Sequence, residues 1–172
     1  MKYFTAELWG GYQPGRPGAK QAYRDWDAAM VAYRGQLARL MPRLTKTTAE
    51  FFTKHSLHDG TLVRACFGDA VDATRPGVKI HANRRTALRL TVVVTWQEPF
   101  LYRLSYSGIA AFEVRSDESL FPAPRSLFGD WGYDELLPEG KEHLRHNVLF
   151  QTGTEISIAF RRFSFVRHRL GR

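Results

Sequence analysis

A chain of 172 residues, 44% apolar and 13% aromatic, is long enough to bury one hydrophobic core and too apolar to be a disordered tail. A single cysteine, Cys66, excludes an internal disulfide, and 25 basic against 17 acidic residues leave a net charge of +8. The excess is spread, with 9 basic and 5 acidic residues in 1–60, 8 and 6 in 61–120, and 8 and 6 in 121–172, so no block of charge marks a nucleic-acid-binding arm.

Met1 to Glu7 carries neither the apolar run nor the small-residue cleavage site of a secretory signal, and the longest apolar run, Leu90 to Trp96, is far too short to span a bilayer. The expectation is one cytoplasmic domain over residues 1–172. Residues 8–19 are rich in Gly and Pro and read as a loop. From Gln21 the apolar residues Tyr23, Trp26, Met30, Tyr33, Leu37, Leu40 and Leu44 recur at alternating spacings of three and four, the stripe of an amphipathic helix. Pro42 removes a backbone donor, so the helical segment over about 20–55 is expected to break there and resume with Phe51 and Phe52 on its covered side.

His58-Asp59-Gly60 is turn chemistry, and beyond it the period becomes two. Strands are expected at Leu62–Phe67, Val78–Ala82, Leu88–Trp96, Phe100–Tyr106, Ile109–Val114, Val148–Gln151 and Thr154–His168. In the last of these, Ile156, Ile158 and Phe160 share a face while Phe163 and Phe165 have the opposite parity, which implies a bulge or sharp twist at Arg161-Arg162. Short turns between strands favour antiparallel neighbours. The fold class is therefore α+β: a helical segment packed on a mainly antiparallel sheet of six to seven strands. Residues 116–147 are read as a long aromatic loop, with short helices around Tyr133–Leu137 and Gly140–His146.

Four clusters could carry chemistry. His143 and His146, three apart on such a helix, share a face and are candidate metal ligands; alternatively they form a polar helix face. His58-Asp59 resembles a ligand pair of metal-dependent phosphohydrolases, but the sheet that follows is the wrong context, and a turn explains the pair as well. Trp131, Tyr133, Asp134 and Glu135 combine carboxylates with aromatic rings in a loop, which suits ligand binding or acid–base work; equally, the rings could pin the loop to the core. Arg64, Arg89 and Arg103 alternate with Tyr102 and Tyr106, so the rings belong to the core face and the arginines to the other, which argues against a base-stacking platform. Arg84, Arg85 and Arg89, and the run Arg161, Arg162, Arg167, His168, Arg169 and Arg172, are local basic clusters, which solvated faces and a basic tail explain as well.

Met1-Lys2-Tyr3-Phe4-Thr5, His58-Asp59, Trp131-Gly132-Tyr133-Asp134-Glu135, His146-Asn147-Val148-Leu149-Phe150 and Gly153-x-Glu155-Ile156-x-Ile158-x-Phe160 together resemble a family of small bacterial proteins known as a domain of unknown function. The resemblance implies a bacterial, cytoplasmic protein and directs attention to His58, Asp59, Trp131, Asp134, Glu135 and His146. It transfers no catalytic residue.

The reading that fits best is a binding or interaction protein without catalysis, in the manner of a toxin-immunity protein. The candidate contact residues are Trp131, Tyr133, Arg84, Arg85 and Arg89, and the basic charge favours an acidic protein partner. One alternative is a metal-dependent enzyme or metal-binding protein using His58, Asp59, Asp134 and Glu135 as catalytic candidates, with His143 and His146 on the metal. The other is RNA or DNA binding through the arginine clusters. No cofactor and no membrane association is expected, and the oligomeric state is left open.

Overall fold

The computed structural model describes residues 1–11, 17–69, 86–95, 99–116 and 127–171. Helix α1 (Ala6–Gly11) is followed by α2 (Ala19–Leu40), a 3-10 turn at Met41–Arg43 and α3 (Lys46–Lys54). The break falls at Pro42, where expected, and Thr45 caps α3 by accepting from the backbone N–H of Thr48. The α2 stripe buries Trp26, Tyr33, Leu37 and Leu40, each contributing about 1.5–3 kcal/mol before the entropy of ordering is subtracted. Tyr23, the first residue of the stripe, is instead 55% exposed.

Eight strands follow: β1 (Gly60–Asp69), β2 (Thr86–Val94), β3 (Phe100–Ser107), β4 (Ala111–Arg115), β5 (Asp130–Glu139), β6 (His143–Phe150), β7 (Glu155–Phe160) and β8 (Arg162–Arg169). Every pairing is antiparallel. The expected count of six to seven is corrected to eight among the described residues, because β5 lies in the expected loop and the single run expected at Thr154–His168 divides into β7 and β8. The loop and two short helices read into 116–147 are replaced, from Asp130 onward, by the hairpin of β5 and β6. Neighbours Glu135 and Leu136 are both fully buried, so β5 shows no alternation of polar and apolar residues, and a bulge between Trp131 and Tyr133 breaks its parity. The expected strand at Val78–Ala82 lies outside the described residues.

The sheet order is β4-β7-β6-β5-β1-β2-β3-β8. Yet β3 runs into β4 through Gly108–Ala110, and β7 runs into β8 through Arg161 alone. β3 pairs with β8 and β4 with β7, so two long bent strands lie side by side and the pairing closes on itself. The expected irregularity at Arg161-Arg162 is this corner. There the Arg161 N–H donates to the carbonyls of Ser107 and Gly108, and Gly108 has φ 65°, with the Arg161 side chain packed where a Cβ would stand.

The weak seam of the ring is β1–β5, joined only at Gly60↔Trp131 and Thr61↔Asp130. Beyond it β5 is edged by α2, whose Tyr33 hydroxyl accepts the Leu136 N–H. Inside the ring, Leu88, Leu90, Leu104, Tyr106, Trp131, Leu136, Val148, Phe150, Ile158 and Phe160 are fully buried. Helix α3 packs on this face, with Phe51 against Phe163 and Phe165 and Phe52 against His146.

Candidate functional site: the cleft at the open seam

Where β5 leaves β1, a cleft of about 970 Å³ remains between α2, the α3–β1 connection, the ends of β2 and β3, and the start of β5. Its walls bring together His58 and Asp59 from the connection with Tyr133 and Asp134 from β5. These four, among the residues singled out from sequence, thus share one surface. Gly132 makes the geometry possible. It is the extra residue of the β5 bulge, and a Cβ there would lie 2.7 Å from the Trp9 ring and 2.9 Å from the Leu149 carbonyl oxygen. Its carbonyl oxygen accepts from His58 Nδ1 at 2.6 Å. The imidazole therefore carries its proton on Nδ1, with the ring against Tyr133 and Nε2 3.6 Å from Asp59 Oδ1. Asp59 holds the left-handed conformation, φ 61°, that the tight turn into β1 requires.

Asp134 is held from behind. Its Oδ2 accepts from the indole Nε1–H of Trp131 at 2.9 Å. Its Oδ1 lies 3.6 Å from Nε2 of His146, a fully buried ring beside Phe52 and Trp131. The Tyr106 hydroxyl is 2.7 Å from His146 Nδ1. Burial, and secondarily the Asp134 charge, push the Tyr106 hydroxyl well above its ordinary pKa, so it stays protonated; the Asp134 carboxylate facing Nε2 favours the tautomer with its proton there, which leaves Nδ1 to accept from this hydroxyl. The single imidazole N–H then sits on Nε2, facing Asp134 just outside hydrogen-bond range, and no other group among the described residues satisfies it. A fixed run from Tyr106 through His146 thus ends on a carboxylate that lines the cleft.

Aromatic rings form much of the remaining wall: Phe4, Tyr33, Phe100, Tyr102 and Tyr133. Burial, and next the neighbouring Arg167, lower the pKa of His55 below its ordinary value, so this wall residue is neutral at pH 7. The Arg167 guanidinium lies 4.4 Å from the Phe100 ring centroid, a cation–π contact at the rim. Histidines aside, the lining carries two carboxylates, Asp59 and Asp134, against the single cation Arg34, a net of −1 in a chain of net +8.

The other sequence candidates fall elsewhere. Trp131 is fully buried and supports Asp134 from beneath. Glu135 is buried and accepts from the backbone N–H groups of Lys2 and Tyr3 and from Asn147 Nδ2, which pins the N-terminal segment to the sheet. The shared helix face of His143 and His146 is corrected. Both lie on strand β6, where residues three apart point to opposite faces, and His143 Nε2 instead accepts from Arg161 Nε. Among the described residues no three His, Cys, Asp or Glu side chains form a group that could hold a metal ion. Arg89 is exposed on the outer surface of the sheet, and Arg84 and Arg85 lie outside the described residues. Sequence reasoning had assigned Tyr33 and Tyr102 to the core and missed His55 and Phe4; their place in a cleft wall follows from the opening of the β1–β5 seam, which leaves no local signal.

No family model, curated protein or solved structure matches this chain significantly. The likeness to a bacterial domain of unknown function therefore rests on the sequence motifs alone. No helix among the described residues is long and apolar enough to cross a membrane.

Proposed function

We propose that this is a binding protein whose cleft receives an organic cation: a protonated amine or guanidinium carried on an apolar body. The observation that carries the reading is Asp134, a carboxylate that lines an aromatic-walled cleft and is held by a hydrogen bond from the Trp131 indole N–H. Rings attract a cation through their faces, and a desolvated carboxylate supplies the opposite charge. The net −1 of the lining, set against a basic chain, points to the same ligand class. A pocket that is mostly apolar, with a few fixed polar groups, is the usual form of a small-molecule site. A protein using one cysteine in 172 residues suits the cytoplasm, where disulfide staples are not used.

The test is a calorimetric titration with benzyltrimethylammonium and with benzoate, probes of similar bulk and opposite charge. The ammonium ion should bind, and Asp134→Asn should weaken it about tenfold, the loss of one charge-assisted contact of roughly 1.4 kcal/mol. Tighter binding of benzoate than of the ammonium ion would overturn the assignment.

A further inference from the structure

The outer surface of β1, β2, β3 and β8 is the chemical opposite of the cleft. The cross-strand register sets Arg64 beside Thr91, Thr91 beside Arg103, and Arg103 beside Val166. One step along, Cys66, Arg89, Ser105 and Ser164 form the next row, and Arg162 stands opposite Ser107 beyond it. Neighbouring strands are about 4.8 Å apart and alternate residues about 6.8 Å apart, which puts Arg89 about 8 Å from both Arg64 and Arg103 at the backbone.

All four arginines are exposed. None has a hydrogen-bonding or ion-pairing partner among the described residues, whereas Arg115, Arg145 and Arg161 elsewhere are each matched to a glutamate. No acidic side chain occurs among the described outward residues of these strands, and the residues between the arginines are largely hydroxyls: Thr91, Ser105, Ser107 and Ser164.

We propose that this face binds the phosphate backbone of double-stranded nucleic acid, through Arg64, Arg89, Arg103 and Arg162, without reading sequence. Guanidinium groups and hydroxyls are the side chains that contact phosphates and set register on a duplex. A single strand is disfavoured because the aromatic residues do not share the arginine face: Tyr102, Tyr106 and Phe163 are buried on the opposite side, and the exposed Phe67, paired with the core residue Leu88, has that same parity and stacks on Phe112. A protein partner is disfavoured because interfaces are anchored by apolar and aromatic side chains at their centre. Here Val93 and Leu101 pair towards one end and Val166 stands beside Arg103, and none of the three is aromatic.

The experiment is fluorescence anisotropy of a labelled duplex across a salt series. Three to four phosphate contacts predict a slope of log affinity against log salt of about −3 to −4. Arg89→Glu with Arg103→Glu should lower affinity at least about tenfold at low salt and flatten the slope by about 2. Arg24→Glu with Arg39→Glu on the exposed side of α2 makes the same change in net charge and should leave the slope unaltered. An equal loss in this control pair, no binding by the wild type at low salt, or equal competition by polyglutamate at matched charge would each overturn the proposal. Ammonium binding in the cleft should be unaffected by either pair, so the two sites succeed or fail separately.

Discussion

The cleft and the outer arginine face share strands β2 and β3, yet they are opposites in charge and in order. Tyr102 faces the cleft and Arg103, its neighbour in β3, faces out. Inside, polar groups are few and fixed by donors behind them, as Asp134 is by Trp131. Outside, the four arginines have no hydrogen-bonding or ion-pairing partner among the described residues. Counting charges along the chain hid this separation. Arg64, Arg89, Arg103 and Arg162 lie in different stretches of sequence, and only the β1–β2–β3–β8 pairing gathers them. Four arginines that are far apart in sequence thus meet on one surface, while two carboxylates, Asp59 and Asp134, line the cleft on the other.

The comparison breaks most severely at Gly132. Gly132→Ala would press a methyl group against the Trp9 ring and the Leu149 carbonyl, and the backbone atom cannot swing aside. We expect a loss of about 3 kcal/mol in urea unfolding, the upper part of the range for overpacking, together with loss of cleft binding. Duplex binding by the fraction still folded should persist. Tyr106→Phe comes next. It keeps the ring but removes the proton that satisfies the buried Nδ1 of His146, at a cost of about 1–3 kcal/mol. Nitrogen-15 shifts of His146 would report whether its tautomer changes; an unchanged stability would show that the hydroxyl does not donate.

Much of the architecture was legible in sequence because one period or the other persisted over whole elements. The stripe from Trp26 to Leu40 and the Pro42 break locate α2 and α3, whereas α1 (Ala6–Gly11) falls partly in residues 8–19, whose Gly and Pro content reads as a loop. Leu88 to Val94 and Phe100 to Tyr106 have one face in the core and one in water, so alternation is plain. β5 was illegible because the N-terminal segment and α2 cover it: Glu135 is buried under Lys2 and Tyr3, and Leu136 is buried within the ring, so both parities are buried. The His58, Asp59, Tyr133 and Asp134 group was visible as separate motifs. Their meeting depends on the Gly132 bulge and on the short β1–β5 seam, neither of which has a period to read.

Asp134→Asn sharpens the contrast at smaller cost. The amide oxygen can still accept from Trp131, so unfolding stability should change by less than about 1 kcal/mol while the ammonium affinity falls about tenfold. A double-mutant cycle of Asp134→Asn with Arg89→Glu tests whether the two surfaces are independent. Their ligand affinities should combine additively within about 0.5 kcal/mol, the limit for sites that share no partners.

The smallest effect distinguishes the two regions by pH. Burial, and then Arg167, hold the folded pKa of His55 below the unfolded value of about 6.5. Between those two values the unfolded chain binds more protons than the folded one, so stability rises with pH across the window. Acidification from above pH 6.5 should therefore remove stability progressively, with the loss complete once pH is below the folded value. His55→Phe preserves the packing on Phe51 and Phe165 and should flatten this part of the pH profile of the urea midpoint. The same protonation adds a positive charge to the cleft wall, so ammonium affinity should fall with pH in the wild type and fall less in the variant. Arginines do not titrate in this range, so Arg64, Arg89, Arg103 and Arg162 should keep their salt slope on the duplex unchanged by the His55 substitution at every pH in the window. A variant profile parallel to that of the wild type would show that another group governs the acid limb.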